Sequence, residues 1–208
     1  MDGVNLQSHP CRVAYPPRLD PGRIGENALV VVEEQGWDSW SLREVAKALG
    51  VTPTALYRHV GNRAGLHVEI AAAAARALSD ELTRRGLRGT GIARVAGVSR
   101  RYVRFGMARP HAYAAFTMAK PSHDHPSIGP WLRVWDVVQS AVATAVPDAA
   151  DAAAFALWAL LHGRIHLATT AAPGVKPDVG LDLAVRALLE GFAAMGHVPS
   201  PIPKSIAL

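Results

Sequence analysis

Residues 41–66 read SLREVAKALGVTPTALYRHVGNRAGL, and this stretch decides the fold. Ser41 and Glu44 have the N-cap and N3 spacing of a capping box, with Trp40 and Val45 placed for a hydrophobic staple. Leu42, Val45, Ala46 and Leu49 then fall on one helical face. Gly50 suits a left-handed C′ position, where a side chain would cost strain. Thr52-Pro53 restarts the chain as N-cap and N1. On the second helix Ala55, Leu56 and Val60 face inward, and Thr54, Tyr57, Arg58 and His59 face outward. Gly61-Asn62 ends it, and Asn62 can cap a third helix. Two short helices, a tight turn and a third start are the layout of a helix-turn-helix reader of DNA.

The residue types fit that chemistry. Arg58 can fork onto a guanine edge or a phosphate, and the hydroxyls of Thr52 and Tyr57 suit phosphate oxygens. The Thr54 methyl and the Pro53 ring can touch a thymine methyl. Residues 52 to 58, Ala55 included, form the groove-facing start of the second helix, with His59 beside them and Arg63 placed to hold backbone. Ser41 and Arg43 complete the candidate DNA-binding set. No acid occurs from Val45 to Val68, while Lys47, Arg58 and Arg63 do. That local field suits phosphate.

These residues strongly resemble the TetR family of bacterial transcription regulators. Ile24, Ala28 and Leu29 match its first helix. Gly36, Trp37, Ser41, Leu42, Val45 and Ala46 match the approach to its second. Gly50-Val51, Ala55-Leu56-Tyr57, His59 and Leu66 match the recognition segment. Val60 stands where the family usually has Phe, and Arg63 where it usually has Lys. A second resemblance lies at Trp158, His162 and Gly163, similar to a Trp-x-x-x-His-Gly signature in one subgroup. The resemblance implies a C-terminal effector domain, and pairing of the last two helices into a four-helix dimer interface.

Composition bounds the rest. A chain of 208 residues, half of them hydrophobic, can bury a real core. It has no long uncharged apolar run for a membrane span and no signal-peptide pattern, so a cytoplasmic protein is expected. Cys11 is the lone cysteine and cannot form an intrachain disulfide. The formal charge is +5, yet residues 1 to 66 carry seven basic and seven acidic side chains. Global basicity therefore does not argue for DNA binding. The excess lies in Arg84, Arg85, Arg88, Arg94, Arg100, Arg101, Arg104 and Arg109. No acid interrupts residues 82 to 123. This stretch reads as a solvated helix surface, or as a patch facing DNA phosphate or an acidic ligand.

Periodicity predicts an all-α protein of about nine helices. They are expected at about 20–35, 41–49, 52–60, 62–85, 92–108, 110–119, 130–146, 148–170 and 178–196, with Asp20, Asp148 and Asp178 as N-caps. Val95, Val98, Tyr102, Phe105 and Met107 are inward candidates. The organisation expected is a disordered tail (1–19), a reader (20–66), a helical effector and dimerisation domain (67–200), and a tail (201–208). The helix over 152–163 is apolar on nearly every side, so it is buried in the body, across a subunit interface, or both. On the last helix Leu181, Ala184, Leu188, Gly191, Phe192 and Met195 form a stripe. A homodimer on a palindromic DNA operator follows, through helices at about 148–170 and 178–196.

The family resemblance adds a small-molecule effector, and the aromatic content suggests a flat or bulky apolar one. Candidate ligand-binding residues are Tyr102, Phe105, Tyr113, Phe116, Trp131, Trp135, Phe155, Trp158, His162 and His166, with Arg164 and Gln139 as further polar anchors. The function expected is a ligand-responsive DNA-binding regulator, a repressor released by its effector. Its rival is a helical ligand-binding module without specific DNA binding. No cofactor is expected. No phosphate loop, nucleophile elbow or paired catalytic carboxylate points to an enzyme. His162 and His166 have zinc-compatible spacing, but no third ligand accompanies them.

Overall fold

A computed structural model describes residues 19–86, 89–119, 121–171, 174 and 176–200. The helices are α1 (Pro21–Gln35), α2 (Leu42–Ala48), α3 (Pro53–Val60), α4 (Arg63–Thr83), α5 (Gly91–Ala108), α6 (Pro110–Met118), α7 (Gly129–Ala143), α8 (Ala150–His166) and α9 (Leu181–Met195). Among the described residues there is no strand. The predicted tails, with Cys11, and Arg88 lie outside the described residues, apart from Leu19.

Local chemistry sets the N-terminal boundaries. Asp20 accepts from the Arg23 amide at 3.0 Å. Ser41 and Glu44 form the full capping box, and Thr52 accepts from the Ala55 amide at 3.1 Å. Asn62 accepts from the Gly65 amide at 2.9 Å. Gly50 takes φ +68°, the left-handed turn that lets α2 and α3 meet.

Two expected caps are corrected. Asp148 belongs to a 3-10 turn (Pro147–Ala149), so Ala149 precedes α8 without a side-chain cap. Asp178 supplies only its carbonyl, to the Leu181 amide at 3.1 Å, and Gly180 precedes α9. The predicted loop at 120–130 contains a further 3-10 turn, Pro126–Ile128.

The fold is organised around α4. Ala71 to Ala75 are all buried, and α1, α6, α7 and α5 pack around that helix. Alanine permits such crowding because it holds neighbours no further off than one methyl. At α1 even a methyl is too much: a Cβ on Gly25 would lie 2.3 Å from the Glu69 carbonyl oxygen. The reader is therefore seated directly on the helix that runs into the body.

The arginine-rich stretch is mostly structural. Arg101 donates to the carbonyls of Glu81, Leu82, Arg84 and Arg85, satisfying the open end of α4. Arg100 grips Asp182 of α9 at 2.7 Å. Arg109 forks onto Glu33 of α1. Arg84 pairs with Glu81. Met107, expected inward, is 39% exposed, because the α5 face carrying it looks away from the body core.

Candidate nucleic-acid interface and the helical body

α3 is held by Leu56, which is fully buried, and by half-buried Ala55 and Val60. Its outer face presents Pro53, Thr54, Tyr57, Arg58 and His59 to solvent. Tyr57 is exposed although large and aromatic. Arg43, Lys47 and Arg58 are exposed and make no ion pair among the described residues. Arg43 and Arg58 are thus left for phosphate, while the Lys47 charge is shared with the Glu44 carboxylate one turn earlier. Thr52 uses an acceptor lone pair on the Ala55 amide, which leaves its hydroxyl proton free to donate.

Two residues of the predicted DNA set behave differently. The Ser41 hydroxyl donates to Glu44 Oε2 at 2.6 Å while its oxygen receives the Glu44 amide at 3.3 Å. Its proton is committed to the cap. The hydrogen bonds from Ser41 hold the Glu44 carboxyl below its usual pKa, keeping it ionised. Arg63 lies over the Trp40 ring at 4.7 Å and donates from Nε to His67 Nε2 at 3.4 Å. Its stem and Nε are fixed, and its terminal nitrogens remain for a phosphate. Burial, then the Arg63 charge, lowers the pKa of His67, so it stays a neutral acceptor. The ring cluster of Trp37, Trp40 and His67 beneath Arg63 escaped the sequence reading. Its signal was the spacing of two tryptophans ahead of α2.

In the body, seven of the ten candidate ligand residues meet in one layer. Phe116 stacks on Trp131 at 5.0 Å, Trp131 on Trp158 at 5.3 Å, and Trp158 on Trp135 at 5.0 Å. Tyr102 and Tyr113 meet edge to face at 6.2 Å, and both rings touch His162. Trp131 Nε1 donates to the Phe116 carbonyl at 3.1 Å. Phe105 is buried with its ring under the Arg109 guanidinium at 5.3 Å.

His162 sits at the centre of this layer. Trp158 Nε1 can only donate, and it meets His162 Nε2. The other ring nitrogen, Nδ1, lies 2.7 Å from the Tyr113 hydroxyl. Tyr102 reaches Nε2 at 2.9 Å. Burial pushes the imidazole pKa down to about 4. Burial also raises Tyr102 and Tyr113 above the ordinary phenol value. All three groups are neutral at pH 7.

The other polar candidates are placed elsewhere. Gln139 donates to Asp151 at 3.3 Å, tying α7 to α8. Arg164 donates to the Val179 carbonyl at 3.0 Å. His166 is exposed, one turn beyond His162 and outside the layer. Phe155 is 52% exposed, two turns before His162 on α8. In the single chain α8 thus keeps an exposed face, so the body alone does not account for its all-round apolarity. Phe155, Ala159, Gly163 and Leu167 form an open apolar strip, and Leu183, Ala187 and Met195 continue it on α9. The core side of α9 is instead Leu181, Val185 and Leu189. Among the described residues no group of three or more His, Cys, Asp or Glu is placed to hold a metal. Among the described residues no helix is long and apolar enough to cross a membrane.

Comparison with known proteins agrees with this geometry. Residues 24–70 match the family described as bacterial regulatory proteins, tetR family. Residues 95–192 match the tetracyclin repressor-like C-terminal domain. An uncharacterised HTH-type transcriptional regulator of Mycobacterium tuberculosis is 30% identical over 191 residues, covering 88% of this chain and 84% of that protein. A protein of unknown function from Rhodococcus sp. RHA1 superposes with TM-score 0.69 at 22% identity, over 87% of this chain and 98% of that one. A TetR variant from Acinetobacter baumannii AYE, in complex with minocycline, superposes with TM-score 0.62 at 20% identity, over 87% and 100%. α2 and α3 are thus the helix-turn-helix of a DNA-binding domain, and the chain belongs to the TetR family of bacterial transcriptional regulators.

Proposed function

We propose that the protein is a homodimeric, effector-released repressor of a palindromic operator, acting in the cytoplasm. The observation that carries the reading is the outer face of α3. Thr54, Tyr57, Arg58 and His59 stand exposed there, with exposed cations at Arg43, Lys47 and Arg58 around them. One reader spans one half-site, and two half-sites a helical turn apart need two readers. The open strip of Phe155, Ala159, Gly163, Leu183 and Ala187 supports pairing, because small residues let two α8–α9 pairs approach closely. Residues 20–66 act as the reader and 67–200 as the body, with α4 crossing from one to the other. Tyr102, Tyr113, Phe116, Trp131, Trp135, Trp158 and His162 form the wall against which a flat apolar effector would act, with Phe105 behind it. Phe155 and His166 serve the subunit face instead.

Selection of bound duplexes from a random pool tests this reading. Enrichment of an inverted repeat, lost in Arg58→Ala, is expected. Wild-type protein that enriches no sequence would favour a helical ligand-binding module without specific DNA binding.

A further inference from the structure

We propose that the cavity on the outer face of α5 binds a monoanionic amphiphile, a carboxylate carried on an apolar chain, and signals to the reader through Arg109 and Glu33. This rests on the effector-responsive reading and adds to it a second ligand site, separate from the aromatic layer and with a ligand class of its own. The cavity has a volume of about 550 Å³, within the size range of small-molecule sites. It opens between α5 and the chain that joins α8 to α9.

Arg100, Val103, Arg104 and Met107 line it from one face of α5, at helical spacing. Val103 and Met107, with Ala168 and Pro177 opposite, make an apolar floor. Met107 is exposed here, and an unbranched thioether adapts to an irregular apolar chain. The rim is charged. Arg100 is neutralised by Asp182, with Nη1 at 2.7 Å from both carboxylate oxygens. Arg104 and Lys176 are exposed and have no ion-pair or hydrogen-bond partner among the described residues. Asp178 is the one carboxylate in the lining. Two free cations against one carboxylate leave a single positive charge, which one ligand carboxylate cancels. A cationic ligand would add to it.

The same helix connects the cavity to the DNA-binding domain. Its other edge carries Tyr102, which bonds His162 in the aromatic layer. A Cβ on Gly106 would lie 2.7 Å from Ile165 Cδ1, so α5 presses backbone-close on α8 at that point. Beyond it the helix ends in Arg109, whose Nε and Nη2 hold the Glu33 carboxylate of α1 at 2.6 and 2.8 Å. A ligand wedged at Arg104 and Met107 acts on the turn next to this fork. α1 packs against α4 in the reader, so a shift of Arg109 is a shift of the reader. Ligand and DNA then compete through one coupling free energy.

Calorimetric titration of the full-length protein with decanoate, and with decan-1-ol as the uncharged control, tests the site. Decanoate is expected to saturate one site per chain and to bind about tenfold or more tighter than the alcohol. Arg104→Glu is expected to weaken decanoate by a similar factor and leave the alcohol unchanged. Arg104 has no structural partner, so this variant should keep the wild-type melting curve. Equal affinity for acid and alcohol, several sites per chain, or an Arg104→Glu affinity equal to wild type would overturn the site. Decanoate should also release the duplex recovered by selection from wild type. Arg109→Gln should bind decanoate as well as wild type yet hold that duplex. Release undiminished in Arg109→Gln would overturn the route. The calorimetry needs no DNA, so a failed site and a failed DNA-binding reading are separate results.

Discussion

His162 makes the stability of this protein fall on mild acidification, by an amount the geometry sets. The Trp158 indole and the Tyr102 and Tyr113 hydroxyls meet its two ring nitrogens, so both are engaged. Burial holds its pKa near 4 against an ordinary value of 6.5. Above pH 6.5 the ring is neutral in folded and unfolded chains, and pH has no leverage through it. Between pH 6.5 and about 4 the unfolded chain takes the proton and the folded chain does not. Each pH unit in that window favours unfolding by about 1.4 kcal/mol, or about 3 kcal/mol in all. Below about 4 both states are protonated and the loss levels off. This is a large share of the ~5–15 kcal/mol that holds a typical domain together. Urea unfolding of wild type and His162→Gln between pH 7.5 and 4.5 isolates the effect, because His67 and the carboxylates are common to both. Wild type should lose about 2.5 kcal/mol more than the variant over that range. Parallel pH profiles, within about 0.5 kcal/mol, would refute the neutral-centre reasoning.

Other substitutions probe the reader, the packing and the subunit face. Arg58→Ala should weaken the selected duplex by about 1–3 kcal/mol and relax one base position, whereas Tyr57→Ala should weaken binding without changing base preference; gel shifts against single-base operator variants separate the two. Gly25→Ala places a methyl 2.3 Å from the Glu69 carbonyl, and overpacking of that kind should cost about 1–3 kcal/mol in a melting experiment. Arg101→Ala uncovers the carbonyls at the end of α4 and should cost about 1.5–3 kcal/mol in urea, with DNA affinity per folded molecule unchanged. Phe155→Asp with Leu183→Glu should give a monomer by sedimentation velocity while leaving the helical spectrum intact.

The helix boundaries were legible because they are local. Caps at Asp20, Ser41, Thr52 and Asn62, and the Gly50 turn, depend on atoms within five residues. The N-caps of α8 and α9 were misread at Asp148 and Asp178 because a preceding proline turn and a left-handed glycine took the capping positions. Residue type suggested the aromatic layer, but type could not say that His162 would be enclosed by two tyrosines from α5 and α6. That arrangement is a tertiary fact. Apolarity at α8 could not say which face meets the body and which is left open: Phe155, Ala159 and Gly163 are exposed in the single chain. The arginines, by contrast, misled. An acid-free run looks like a surface field, yet Arg100, Arg101 and Arg109 find carboxylates and carbonyls more than fifteen residues away in sequence. Spacing along the chain carries no information about such partners.

Among the contacts that join α1 to the rest of the molecule, two are unlike in kind, and their magnitudes assign them different roles. At Gly25 the backbone of α1 lies against the backbone of α4, where the added methyl would have nowhere to go. Steric contact of this kind rises steeply with displacement, so α1 and α4 move together. Arg109–Glu33 is a half-exposed pair, 36% and 29% accessible. Solvent reduces such a pair to about 1 kcal/mol or less of stability. It is too weak to hold the reader in place, and it reaches at most the lower end of the about 1–3 kcal/mol typical of coupling between sites. The steric contact therefore fixes α1 to α4 as one body. The ion pair links that body to the end of α5, whose neighbouring turn lines the α5 cavity.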